Sequence, residues 1–406
     1  MPQMNITRAN NALKDFYLKG IQYQMNEKTS PFMAMIEKTT MGVTGGDITM
    51  ALKYGKHGGI GNRADDGLLP IPNTRALAQA RWRTKNVFGR IMISDKTIRA
   101  SANDKGAFAN LFEAELEDCM TDVKDNFNRQ IFGGTLGIMG LAVDGRGVAP
   151  AVGNTQIEVT DARFFFEGQR VDFMEDTTDV VRDNGAGVTT GCVITAVNRT
   201  NNVLTFSADL AAGVVGGDAI VMNASYGLEL TGLQDIMTPA NIIYGINRAT
   251  NPWFNPNVID HEDGGNPGDI TEAVLQQAID ESDIRASGNI DYISTSHGVR
   301  RAFYELLASQ KRHVNTVELK GGFKALDYNG IPFVADKYAP ANTIDLLAKE
   351  NFKLYHMSDW DWLDRDGSVL ARVTDRPVYE ATLVKYADLG CDKPAAQVRI
   401  INVAEE

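Results

Sequence analysis

The sequence predicts an α+β protein of several domains, and three of its stretches carry that reading. Apolar and polar residues alternate along 48–54 and again across 76–94, the period of strands with one buried face. Between Gly106 and Ile131 apolar residues recur at spacings of three and four, the period of an amphipathic helix. From 155 to 225, short β-prone runs follow one another between Gly and Asn turns, an all-β pattern.

The bulk numbers narrow the function classes. At 406 residues the chain suits two or three domains of roughly 150 residues each. A formal charge of -12 argues against whole-molecule attraction to nucleic acid or anionic lipid. Cys119, Cys192 and Cys391 lack metal-ligand spacing and read as buried reduced thiols, which suits a reducing cytosol. No apolar run approaches the ~20 residues of a membrane span, and the first twenty residues hold no signal-peptide core, so a soluble chain made in the cytosol is expected.

Residues 5–37 read as helical arm segments, with Leu13, Phe16, Tyr17 and Ile21 at helical spacing before a break at Ser30-Pro31. Next comes a ribbon. Ile48, Met50, Leu52 and Tyr54 form one face of its first strand; on the returning strand Arg81, Arg83 and Lys85 point one way, and Trp82, Thr84, Asn86 and Phe88 the other. GKHGGIGNRADDG, 55–67, and then Leu68-Leu69-Pro70-Ile71-Pro72 connect the two. A two-stranded ribbon is marginal alone, so it must rest on a second surface, its own or a neighbour's. The helix from Gly106 presents Phe108, Leu111, Phe112, Leu116, Cys119, Met120, Val123, Phe127 and Ile131 on one side and ends at Gly133-Gly134. IEVT, QRVDFM, CVITAV, VLTFS and DAIVM then read as a small inserted β-barrel. After a loop-rich stretch, a helix is expected from Asp269 with Glu272 completing a capping box. Strand DYIST leads to a second helix capped by Ser296, with Val299, Phe303, Leu306 and Leu307 on one face. Asn329-Gly330 suits a type I′ hairpin, and strands at 344–349, 352–357, 369–374, 378–391 and 396–403 complete the chain.

Catalytic signatures are missing. No Walker-type phosphate loop is present, GGTLGIMG misses the dinucleotide spacing, and GKHGGIGN lacks the strand-to-helix context that cradles a phosphate. In SDWDWLDRDG, Asp364 and Asp366 fit a calcium loop, but Trp362 and Val373 fall on two essential ligand positions, so a hairpin turn at Asp366-Gly367 is expected. His57, His261, His297, His313 and His356 form no zinc-binding pair. The expectation is therefore no enzyme, no cofactor and no metal. The basic residues of the ribbon suit an acidic protein partner, which the chain's own excess of Asp and Glu supplies.

Taken in order, ARWRTKNVFGRIMISDKTIRAS, the helix NDKGAFANLFEAELEDCMTDVKDNFNRQIFGG and YNGIPFVADKYAPANTIDLLAKENFKLY resemble the major capsid protein of tailed bacteriophages, the HK ninety-seven type of shell fold. The resemblance implies an N-terminal arm over 1–45, an extended β-ribbon loop over 46–95, and a spine helix with the start of a peripheral domain over 96–154. It further implies an inserted β-barrel at 155–225, a return to the peripheral domain at 226–254, an apical domain at 255–378 and C-terminal strands completing the sheets at 379–406. The ribbon would lie across an adjacent subunit, with Arg63, Asp65, Asp66, Arg81, Trp82, Arg83 and Lys85 as contacts. The function implied is a structural protein that self-assembles, as pentamers and hexamers, into an icosahedral shell enclosing viral double-stranded DNA without reading its sequence. A separate scaffolding protein, a portal protein and a decoration protein are the implied partners, and the location is the virion capsid, with host cytoplasm during assembly and no membrane. Lys53 and Lys56 lie where some relatives cross-link, but no motif identifies such a bond. Two alternatives stay open: an encapsulin-like bacterial compartment, and a cytosolic β-rich enzyme or carbohydrate-binding protein.

Overall fold

The computed structural model describes residues 30–405 apart from 72–73, 75, 97–104, 144–154, 176–179, 183–189, 211–213, 310–315, 319–323, 365–370 and 374. The arm segments before Ser30 and the turn at Asp366-Gly367 lie outside the described residues. Two compact units emerge: Met1–Asn128 with Asp235–Glu406, and Arg129–Gln234. The long helix, Lys105–Phe132, spans the division in sequence, and its 28 residues match the predicted helix closely.

The first unit contains two large sheets. The six-stranded one is organised by Val378–Cys391, whose 14 residues alternate little in burial because both faces are covered along much of its length. Lys85–Ser94 pairs antiparallel with it over ten residues. Phe352–His356 pairs with its far end, Asp361–Trp362 and Ala371–Arg372 add short ladders, and Glu37–Thr39 joins in parallel beside Phe352–His356. The long helix packs on this sheet through Leu116, Met120, Val123 and Phe127, the stripe read from sequence. Gly89 makes that approach possible: a Cβ there would collide with the Val123 side chain and stand 3.1 Å from Cys119 Sγ. Gly89→Val is expected to cost about 1–3 kcal/mol by overpacking, read as a lowered urea midpoint at unchanged m-value.

The seven-stranded sheet runs, edge to edge, Asn257–Asp260, Val398–Ile401, Ile344–Leu347, Tyr292–Thr295, Ile331–Ala335, Lys324–Tyr328 and Thr316–Glu318. Helices Glu272–Ala286 and His297–Ser309 supply Leu275, Ala278, Val299, Phe303 and Leu307 to its core, where they join Phe333, Leu346, Val398 and Ile400. Ser296 caps the second helix as expected, accepting the Val299 N–H at 3.2 Å. The first helix is capped two residues later than expected: Thr271, extended at φ -130°, accepts the Val274 N–H, so a hydroxyl takes the place the Asp269 capping box was to fill. Asn329 and Gly330 turn at φ 51° and 81°, the left-handed pair a type I′ hairpin requires. Inside the sheet, Asp345 and Arg399 are directly opposite on neighbouring strands and form a two-pronged ion pair of 2.6 and 2.9 Å, both nearly inaccessible to water. The chain leaves this sheet after Leu347, so the stretch 255–378 is shared between two sheets.

In the second unit six strands pair in the order Ile138–Leu141, Ala219–Met222, Arg170–Met174, Cys192–Asn198, Val203–Phe206 and Gln156–Glu158. A bridge between Ala142 and Val159 joins the two end strands, so the ladder returns on itself around Phe165, Phe173, Ile194, Leu204 and Ile220. Five strands fall where the sequence put them. The sixth, Ile138–Leu141, was not read because Gly137 and Gly140 interrupt its pattern; a Cβ on Gly140 would crowd the Phe165 ring at 3.1 Å. Burial raises the Cys192 thiol to about 12 here, and that of Cys119 in the first unit to about 11, so both are inert thiols at neutral pH.

Candidate assembly interface

The ribbon is a pair of eight-residue strands, Asp47–Tyr54 and Ala76–Arg83, in register from Asp47 opposite Arg83 to Tyr54 opposite Ala76. Val43–Thr44 extends its base. Ala80, Ile48 and Leu52 are its buried side, the alternation the sequence displays. The returning strand is not continuous, however. At Thr84 the chain shifts: its N–H and hydroxyl both reach the Gly46 carbonyl, and the buried positions change from even residues up to Trp82 to odd residues from Val87. Phe88 therefore does not share a face with Trp82; it is exposed, edge-on to Tyr386.

Aromatic rings fasten the ribbon to the first unit. Tyr54 stacks flat on Trp253 at 4.2 Å. Trp82 lies against Tyr244 at 4.2 Å and edge-on to Tyr355 at 5.6 Å. Tyr244 occupies a tight turn at φ 51°, a conformation a bulky residue adopts only when held there. What holds it is its fully buried hydroxyl, donating to the Leu389 carbonyl at 2.9 Å, and its own carbonyl, accepting the Arg81 N–H at 2.9 Å.

Arg81 and Arg83 both meet Asp47 across the ribbon, Arg83 at 3.0 Å. Their hydrogen bonds hold the Asp47 carboxyl below its ordinary range. The acidic group that the basic strand faces is thus within the same chain, and Trp82 is occupied by its own aromatic neighbours. Lys85 is half-buried in the strand that pairs with Val378–Cys391. Sequence spacing showed the basic face; it did not show Asp47, Tyr244 or Trp253, which lie elsewhere in the chain.

Beyond Gly55 the tip has no regular secondary structure among its described residues. Arg63 folds it locally, donating Nε–H to the Leu68 carbonyl and a second N–H to that of Asn62, both at 3.0 Å. Asp65 and Asp66 are exposed beside it. The tip's other property is apolar: Ile60, Leu68, Leu69 and Ile71 are 80–90% exposed. Exposed apolar side chains of this kind, where they form one patch, are a feature of contact surfaces. Among the described residues no helix follows directly on the glycines, as a phosphate loop would need, and no three His, Cys, Asp or Glu gather as a metal site. Nor is any helix of the described residues long and apolar enough to cross a membrane.

No protein-family model matches the chain, and no curated protein is similar to it in sequence. Its fold is similar to that of a chain in the cyanophage A-1(L) capsid asymmetric unit, with a TM-score of 0.54 at 12% identity, covering 92% of this chain and 93% of that one. The capsid of an empty GTA particle (TM-score 0.48, 10% identity, 93% and 91% covered) and the holo-SrpI encapsulin complex from Synechococcus elongatus PCC 7942 (0.41, 11%, 92% and 88%) are similar at lower scores. The chain has the α+β capsid-type fold, over nearly its whole length.

Proposed function

We propose that this chain, having that fold, is a major capsid protein whose copies assemble into an icosahedral shell around double-stranded DNA in a tailed-phage virion. The observation that carries the reading is the likeness of fold to a capsid chain over 92% of this chain and 93% of that one. A second observation supports it: the ribbon is fastened along its length by three aromatic contacts, while its tip exposes apolar side chains that its own chain leaves uncovered. A surface built this way suits many identical neighbours, each contributing a moderate interface that symmetry repeats.

In this reading Leu68, Leu69 and Ile71 make the ribbon's main contact with the adjacent copy, and Arg63, Asp65 and Asp66 surround it. Arg81, Arg83 and Trp82 stiffen the ribbon from within, and Lys85 sits where the ribbon enters the sheet. The ladder of the second unit is an insertion in the shell fold, available to a decoration protein. A scaffolding protein and a portal protein are further partners, assembly takes place in host cytoplasm, and the role is structural, with no reaction catalysed.

The test is expression of the chain alone and with its scaffolding partner, followed by negative-stain electron microscopy. Uniform hollow shells are expected. A folded monomer under both conditions would overturn the reading, and shells that take up a cargo protein but no DNA would point to a compartment instead.

A further inference from the structure

Helices Glu272–Ala286 and His297–Ser309 pack on one face of the seven-stranded sheet, the face that carries Ile293, Phe333 and Leu346. Alternation along Tyr292–Thr295 puts Tyr292 and Ser294 on the other face. Register sets their neighbours there: Ser294 is level with Val334 on one side and Asp345 on the other. Asp336 comes two residues after Val334, and its N–H continues the ladder to the Thr295 carbonyl at 2.9 Å, so it belongs to the same face. The short helix Pro31–Met35 lies over this face. Its Phe32 is completely buried, the ring 5.8 Å from that of Tyr292, and the Ser30 hydroxyl hydrogen-bonds the Asp336 carboxyl.

Three polar atoms on this face are left over. The Tyr292 hydroxyl, Ser294 Oγ and Asp336 Oδ2 have no hydrogen-bond partner among the described residues, and the three residues are only 0%, 1% and 3% exposed. Their neighbours in register are committed elsewhere. Asp345 forms its two-pronged pair with Arg399; Ser296, the next position level with Asp336, is bonded to Glu405 and to the Val299 N–H. Lys337 and the Tyr338 hydroxyl both meet Asp125 on the long helix. A buried polar atom without a partner is costly and rare, and three on one face of one sheet ask for a common explanation. Water, which donates and accepts, joins groups that stand more than one hydrogen bond apart.

We propose that the Tyr292 hydroxyl, Ser294 Oγ and Asp336 Oδ2 form a binding site for ordered internal water, enclosed beneath Phe32 and linked through Asp336 and Ser30 to the N-terminal segment. Two hydroxyls and one carboxylate oxygen make three polar partners, the usual number for a buried water. They suit water rather than a divalent metal ion, which takes more oxygens, and no three His, Cys, Asp or Glu gather among the described residues. Burial, and after it the Asp336 charge, raises the Tyr292 phenol well above its ordinary range, so the phenol keeps its proton as a donor to the site. The site belongs to the first unit alone and stands whether or not copies of the chain form a shell.

Tyr292→Phe in the full chain, unfolded in urea, tests the site. Where water serves the hydroxyl, its removal takes away a satisfied bond, and the unfolding constant is expected to rise about fivefold. An orphaned hydroxyl has the opposite sign, since its removal relieves a penalty; an unfolding constant that stays level or falls would overturn the site. Should Tyr292→Phe fail to fold, Ser294→Ala carries the same two outcomes. A structure of the wild-type chain at a resolution that shows ordered water gives the direct reading, with density expected about 2.7–3.2 Å from at least two of the three atoms. Direct pairing of the three side chains with protein groups and no density between them sinks the idea, and so does density held at shorter range by oxygens alone, the sign of a cation.

Discussion

A chain lacking residues 56–74 is expected to fold with an unchanged melting temperature and to form no shells. The deletion joins Gly55 to Arg75 between the paired residues Tyr54 and Ala76, leaving a two-residue connection with glycine first, which suits a type II′ turn. The described part of the tip buries little against its own chain, so its loss takes little from the folded state. In an assembly the loss is large. Each of the four exposed apolar side chains is worth about 1.5–3 kcal/mol if fully covered by a neighbour, so roughly 6–12 kcal/mol would disappear from every ribbon contact. Circular dichroism melting and negative-stain microscopy on the same preparation separate the two effects. Shells of normal yield would remove the ribbon tip from the assembly mechanism.

The second large effect is internal. Asp345→Ala is expected to lower unfolding stability by about 3–5 kcal/mol, because it leaves the Arg399 guanidinium buried in the middle of the seven-stranded sheet without its carboxylate. Replacing both partners, Asp345→Leu with Arg399→Met, should recover most of that loss, since a buried ion pair and a well-packed apolar pair of similar volume are often near equal in energy. Urea unfolding of the two variants measures the difference. A single variant within 1 kcal/mol of the wild type would mean that water reaches Arg399, against its observed burial.

Much of the fold was legible in the sequence because its elements carry strong local signals. Val123, Phe127 and Ile131 needed only helical spacing to reveal a buried stripe, and Asn329-Gly330 needed only turn chemistry. The first strand of the second unit was hidden because glycines chosen for close packing erase alternation. The shift at Thr84 was hidden for another reason: two strands follow each other there without a loop, and only their different partners, Asp47–Tyr54 and Val378–Cys391, separate them. The candidate site was half legible. Glycine content and charge marked out the ribbon and its tip, but Tyr244, Trp253 and Asp47 act through tertiary contacts that no spacing encodes. Arg81 and Arg83 show the limit most plainly. Their alternation suggested a basic face for a partner, and the structure provides an acid 34 and 36 residues earlier in the same chain.

The pairing of Lys85–Ser94 with Val378–Cys391 has a temporal consequence. A ribosome adding about 5–20 residues per second needs roughly 15–60 s to travel from one strand to the other. Throughout that interval the strand beside the ribbon has no ladder partner, and Gly89 faces a helix that has no completed sheet to lie on. Contacts so far apart in sequence also make closure slow once the chain is complete. A copy that assembles as proposed therefore becomes competent late, when its last long strand arrives and the Tyr244–Leu389 bond fixes the ribbon's attachment. In that proposed assembly, translation would act as the timer that keeps unfinished copies from joining.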